Sequence, residues 1–126
     1  MELLGGARVR LFLESDNPYA DVFVRLCDVG PNGASINVTD RLVRLDPAAG
    51  EEADGERTVE VTLPDTAHRF AAGHRIRLQV SGGAHPRFAR NLGTGEPLGQ
   101  GTRGVPVRYR IGHSAASPSA VTLPLG

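Results

Sequence analysis

A chain of 126 residues, 40% of them apolar, is long enough to close one hydrophobic core and too apolar for a disordered segment. Its 14 basic and 14 acidic residues cancel, which removes the general attraction to phosphate backbones on which nucleic-acid binding rests. Apolar runs far too short to cross a bilayer exclude a spanning helix, and the lone Cys27 cannot close an internal disulfide.

We therefore expect a single domain over residues 1–126, with neither a nucleic-acid nor a membrane partner. The opening MELLGGARVR lacks the charged-then-apolar design of an export signal, so a cytoplasmic location is expected. Every basic residue other than histidine is arginine. Together with the richness in alanine and glycine, this resembles the coding bias of a GC-rich bacterial gene and carries no chemistry.

Taken in chain order, the signal is alternation. In ARVRLFLE, Val9, Leu11 and Leu13 share one face of an extended strand. The stretch SDNP breaks the chain. ADVFVRLCDV follows with apolar residues on both parities: Val22, Val24 and Leu26 on one, Phe23, Cys27 and Val29 on the other. That pattern fits a central strand covered on both sides, or one with a bulge, and makes Cys27 a packing residue. Asn32-Gly33 marks a hairpin, because both residues tolerate positive φ, and SINVTDRLVRL is the return strand. The acidic, glycine-bearing DPAAGEEADGE reads as an exposed loop.

RTVEVTL alternates again through Val59, Val61 and Leu63. LPDTAHRFAAG turns the chain, and TAHRFAAG forms one helical turn at most. HRIRLQVS alternates through Ile76, Leu78 and Val80, VPVRYRI through Val105, Val107, Tyr109 and Ile111, and AVTLPL through Val121, Leu123 and Leu125. Pro106 puts its strand at an edge or at a strand start. Seven or eight short strands with turn signals between them predict an all-β sandwich or barrel. The arginine pairs Arg8/Arg10, Arg75/Arg77 and Arg108/Arg110 fall on solvated strand faces, salted with acids such as Glu14 and Glu60.

Reaction chemistry is hard to place on this chain. His68, His74, His85 and His113 never fall in an HxH or HxxxH pair, and one cysteine does not complete a zinc set. Asp16, Asn17 and Asp21 carry oxygens suited to calcium, but so short a run reads first as a turn held by Asx hydrogen bonds. GTGEPLGQGTRG has glycines without the GK[ST] ending of a phosphate loop. No GxSxG elbow is present, and His113-Ser114 with Ser117-Pro118-Ser119 reads as a strand-end turn. The expectation is no catalytic residue, no metal and no cofactor.

The fragments ADVFVRLCDVGPNGASINVTD, GHRIRLQVSG, HPRFARNLGTG and a closing His113, Pro118-Ser119 and Leu123-Pro124 occur in an order that resembles one family. It is the C-terminal β-sandwich domain of the cocaine esterase/X-Pro dipeptidyl-peptidase group of serine hydrolases. The resemblance spans about Gly6 to Leu125 and includes Asp28 with Gly33 and Gly73-His74-Arg75. It implies an antiparallel jelly-roll β-sandwich of galactose-binding-domain-like type. It also implies a partner: the α/β-hydrolase catalytic domain on which such a module packs and whose substrate pocket it helps to shape. That domain is absent from this chain, and no catalytic residue carries over.

Family members enter the module through an extra segment that is here lacking or reduced to MELLGG. A missing strand would leave an open edge for a second copy of the chain, so a homodimer is also expected, through that edge or through the surface that in the family faces the catalytic domain.

The loop HPRFARNLGTG is the candidate structural or interdomain site. Arg87 or Arg90 can donate to carbonyls or a carboxylate, Asn91 can bond turn backbone, and Phe88 can plug the loop onto the sandwich. Thr94 belongs to the matching pieces. The leading reading is a structural lock, followed by contact with the hydrolase domain. The rival function is an independent carbohydrate- or ligand-binding module. Against it, the chain has no tryptophan and only six aromatics, of which Tyr19 and Phe88 alone sit in loops. That is little with which to stack on sugars.

Overall fold

The structure, a computed structural model, describes residues 1–15, 20–45, 56–82 and 108–126. Among them run nine strands: β1 (Glu2–Gly5), β2 (Arg8–Ser15), β3 (Asp21–Val29), β4 (Ser35–Arg44), β5 (Glu56–Thr62), β6 (Thr66–Arg69), β7 (Arg75–Ser81), β8 (Tyr109–Ile111) and β9 (Ala120–Thr122). All pairings are antiparallel.

Two layers face each other. One is ordered β5-β2-β8, with β9 also on β2; the other is β4-β3-β7. β8 and β9 share one edge of β2 by dividing its length. Leu13–Ser15 pairs with β8, and Arg8–Arg10 pairs with β9. Alternation decides which side chains meet between the layers. Val9, Leu11 and Leu13 of β2 and Val59 and Val61 of β5 come from the first, and Val22, Val24 and Leu26 of β3 from the second. Each such side chain contributes about 1.5–3 kcal/mol by leaving water. The chain is a β-sandwich.

β3 is central and buried on both parities, as its sequence pattern predicts. The irregularity lies between Leu26 and Cys27. Leu26 opposes Thr39 and Cys27 opposes Asn37, so Val38 is the extra residue of a β-bulge in β4. On the face away from the sandwich core, the Arg25 guanidinium stands 4.8 Å from the Phe23 ring centroid. The buried Cys27 thiol lies 3.9 Å from Asn37 Oδ1 and 3.7 Å from Gln79 Oε1.

The β3–β4 hairpin closes where Asn32-Gly33 predicts it. Gly30 and Ala34 are joined N–H to carbonyl at 2.8 Å, Asn32 Oδ1 accepts from the Ala34 N–H at 3.1 Å, and Gly33 adopts φ +86°. The arginine faces are exposed, and two arginines find the acids expected of them: Arg10 pairs with Glu60 at 2.8 Å and Arg110 with Glu14 at 3.5 Å.

Three expectations are corrected. MELLGG, placed ahead of the first expected strand, is itself a strand: Glu2–Gly5 forms β1 and pairs with β6, and Leu3 is buried in the core. TAHRFAAG is not a helical turn, because Thr66–Arg69 forms β6. In both cases four residues are too few to show a period, and the partner strand, some sixty positions away, decides. Leu125 does not join the apolar line of AVTLPL; β9 ends at Thr122, and Leu125 is 65% exposed in an isolated bridge to Leu3.

Candidate functional site

The loop residues Arg87, Phe88, Arg90, Asn91 and Thr94 lie outside the described residues, as do Asp16, Asn17 and the first three residues of the VPVRYRI stretch, Val105, Pro106 and Val107. Asp21, the remaining member of the possible calcium set, is described and is committed elsewhere. It is 2% exposed, and its two carboxylate oxygens accept from Arg44 Nε at 2.8 Å and Nη2 at 3.0 Å. These hydrogen bonds hold the Arg44 guanidinium more firmly protonated than usual. The backbone carbonyl of Asp21 also accepts from Tyr109 Oη at 2.6 Å. His113 sits in an isolated bridge to Pro118, at the strand-end turn read from the sequence.

The described residues gather titratable groups at one end of the sandwich. Asp28, near the end of β3, follows Val22, Val24 and Leu26 on the parity that faces the core and is almost completely buried. An ionised carboxylate there must be hydrogen-bonded, because a buried charge without partners is costly. Both of its oxygens are served. His68 Nε2 is 2.8 Å from Oδ2, and His74 Nδ1 is 2.7 Å from Oδ1. With the carboxylate ionised, both imidazoles donate N–H at these atoms. The hydrogen bond from His68, then that from His74, holds the Asp28 carboxyl below the usual carboxylate range against the opposing effect of burial.

Three separate elements bring these groups together. His68 stands on β6 opposite Leu3 of β1, with its ring edge-on to the buried Phe70, centroids 4.7 Å apart. His74 ends the turn that leads into β7; its N–H bonds the Ala71 carbonyl at 3.1 Å, and Gly73 takes φ +82° beside the Pro31 ring of the β3–β4 hairpin. The N-terminus closes the same end, where Met1 and Phe70 exchange backbone hydrogen bonds at 2.9 and 3.2 Å. Chemically the arrangement is a clamp. One carboxylate spends both oxygens orienting two half-buried imidazoles, and so fixes β6 and the β7 turn to β3.

The sequence reading missed this cluster. The resemblance marked Asp28 and His74 as matching pieces without giving them a role. The available signal was a charged residue on a parity otherwise reserved for Val22, Val24 and Leu26.

A family model described as the X-Pro dipeptidyl-peptidase C-terminal non-catalytic domain matches residues 1–122. The chain is similar to the cocaine esterase of Rhodococcus sp. (strain MB1 Bresler), 31% identical over 137 aligned positions that cover 99% of this chain and 23% of that protein. Two solved structures share the fold at 22% identity. An aminopeptidase from the marine sediment archaeon Thaumarchaeota archaeon superposes with a TM-score of 0.82 over 97% of this chain and 23% of that one. An alpha-amino acid ester hydrolase does so with a TM-score of 0.84 over 99% of this chain and 24% of that one. The chain thus spans about a quarter of the length of these relatives.

Proposed function

The chain belongs to the family of X-Pro dipeptidyl-peptidase C-terminal non-catalytic domains, and from that premise we propose that it is the accessory β-sandwich of a serine hydrolase acting on esters or X-Pro peptides. It packs against the α/β-hydrolase catalytic domain of that enzyme and helps to shape the substrate pocket. The observation that carries this reading is the family match over residues 1–122, in a chain equal to 23% of its esterase relative.

The clamp at Asp28 supports the reading. Two imidazoles placed within hydrogen-bonding distance of a carboxylate resemble parts of a hydrolase site, but here they brace three elements of a sandwich. A homodimer remains part of the proposal through the surface that in the family faces the catalytic domain, while Glu2–Gly5 is already paired with β6 as β1.

A graft tests the proposal. The matching C-terminal segment of the Rhodococcus cocaine esterase is deleted in one variant and replaced by this chain in another. The replacement is expected to restore a substantial part of the kcat/KM lost on deletion. A soluble, folded chimera no more active than the deletion would overturn the proposal.

A further inference from the structure

The outer face of the β5-β2-β9 ladder forms a groove of about 460 Å³, within the size range of small-molecule sites. Two rungs build its floor. In one, Arg8 of β2 lies between Thr62 of β5 and Thr122 of β9; in the next, Arg10 lies between Glu60 and Ala120. The intervening rung, Val61, Val9 and Val121, turns inward, so both polar rungs share the solvent side. Ala120 keeps the floor low where a longer side chain would fill it.

The charges on this floor are only partly used. Arg10 Nε and Nη2 both donate to the same atom, Glu60 Oε1, at 3.0 and 2.8 Å. Among the described residues Glu60 Oε2 accepts no hydrogen bond, and the Arg8 guanidinium forms neither a hydrogen bond nor an ion pair. The groove therefore offers a guanidinium flanked by two hydroxyls and, one rung away on the neighbouring strand, a carboxylate oxygen with room to accept.

A simple anion would satisfy Arg8 and meet repulsion from Glu60. A dianion would fare worse, because the lining carries a single excess positive charge. A ligand with a carboxylate at one end and an ammonium at the other uses both groups. The strand positions of Arg8 and Glu60, diagonal across two antiparallel strands, lie about 7–8 Å apart, and side chains standing parallel from the same face keep their charged ends at a similar spacing. A free amino acid, whose charged groups are separated by one carbon, does not span that diagonal; a dipeptide, with a peptide unit between them, does.

We propose that this groove binds a dipeptide-sized zwitterion, its carboxylate on Arg8 with the Thr62 and Thr122 hydroxyls and its ammonium on Glu60. The site goes beyond the accessory role and does not depend on it.

The test is a ¹H–¹⁵N NMR titration of the full chain with glycylglycine, acetate and N-acetyl-glycylglycine. Glycylglycine is expected to give saturable shifts at the amides of Arg8, Glu60, Thr62 and Thr122. Arg8→Gln is expected to weaken binding by about tenfold or more, in line with loss of a charge-assisted hydrogen bond. Glu60→Gln should weaken glycylglycine and leave acetate unchanged or tighter. Both side chains are exposed, and a spectrum otherwise like the wild type verifies the fold of each variant. Absence of saturable shifts at these amides, equal affinity in Arg8→Gln, or acetate or the acetylated peptide binding as tightly as glycylglycine would each overturn the proposal.

Discussion

Tyr109 Oη donates to the backbone carbonyl of Asp21 at 2.6 Å, joining β8 in one layer to the first residue of β3 in the other. The same aspartate holds Arg44 of β4 through both carboxylate oxygens. One residue thus gathers three strands at the edge where the layers meet. Tyr109→Phe removes the hydroxyl and leaves a part-buried carbonyl without this donor. We expect a loss of about 1 kcal/mol, read as a lower urea midpoint with an unchanged denaturant slope.

The interior of the sandwich is a second place to measure. Leu26 is fully buried between the layers. Leu26→Ala leaves a cavity in addition to the lost transfer energy, and about 2–5 kcal/mol should disappear from the unfolding free energy. A change below 1 kcal/mol would mean that the layers do not close over this residue as described.

At the tip of the β3–β4 hairpin, Gly33 has open space around a would-be Cβ, yet its φ of +86° lies in the left-handed region. Gly33→Ala meets no clash and still pays for the backbone, by about 1 kcal/mol. Gly33→Asn should cost less, because asparagine tolerates this region better. Thermal melts of the two variants side by side give the comparison.

The Asp28 clamp makes stability depend on pH, with a definite sign. Its carboxyl is held below the ordinary aspartate value of 3.8 by His68 and His74. A depressed carboxyl contributes stability that is fully present above the unfolded-state value and is lost as pH falls through the folded-state value. Wild-type protein should therefore lose stability on acidification below about pH 4. Asp28→Asn should be less stable near neutrality, because an amide presents an N–H₂ to one imidazole donor, and its pH profile should be flatter in the acid range. Urea midpoints taken every half pH unit would show both effects; parallel profiles for the two proteins would contradict the clamp.

What the sequence disclosed follows the reach of its signals. β2 and β5 are legible because Val9, Leu11 and Leu13, and Val59, Val61 and Leu63, repeat every second residue. β3 is legible as a central strand because both of its parities are apolar. The hairpin at Asn32-Gly33 rests on local backbone chemistry and needs no distant partner. β1 and β6 are illegible for the opposite reason: each is four residues long, and their extended shape comes from pairing with each other.

The clamp is further out of reach. His68 and His74 lie 40 and 46 positions from Asp28, and only the topology of β3, β6 and the β7 turn joins them. The family resemblance gave the sandwich and the non-catalytic role. The expectation that residues 87–94 lock the sandwich falls on residues outside the described ones.

Activity of the isolated chain is the most direct measurement of the proposed role. Purified protein is incubated with p-nitrophenyl acetate and with an alanyl-prolyl p-nitroanilide, each over a range of substrate concentrations. The result expected of an accessory sandwich is release of product no faster than in buffer for either substrate. Saturable turnover that co-purifies with the chain and disappears on substitution of one of its own residues would contradict it.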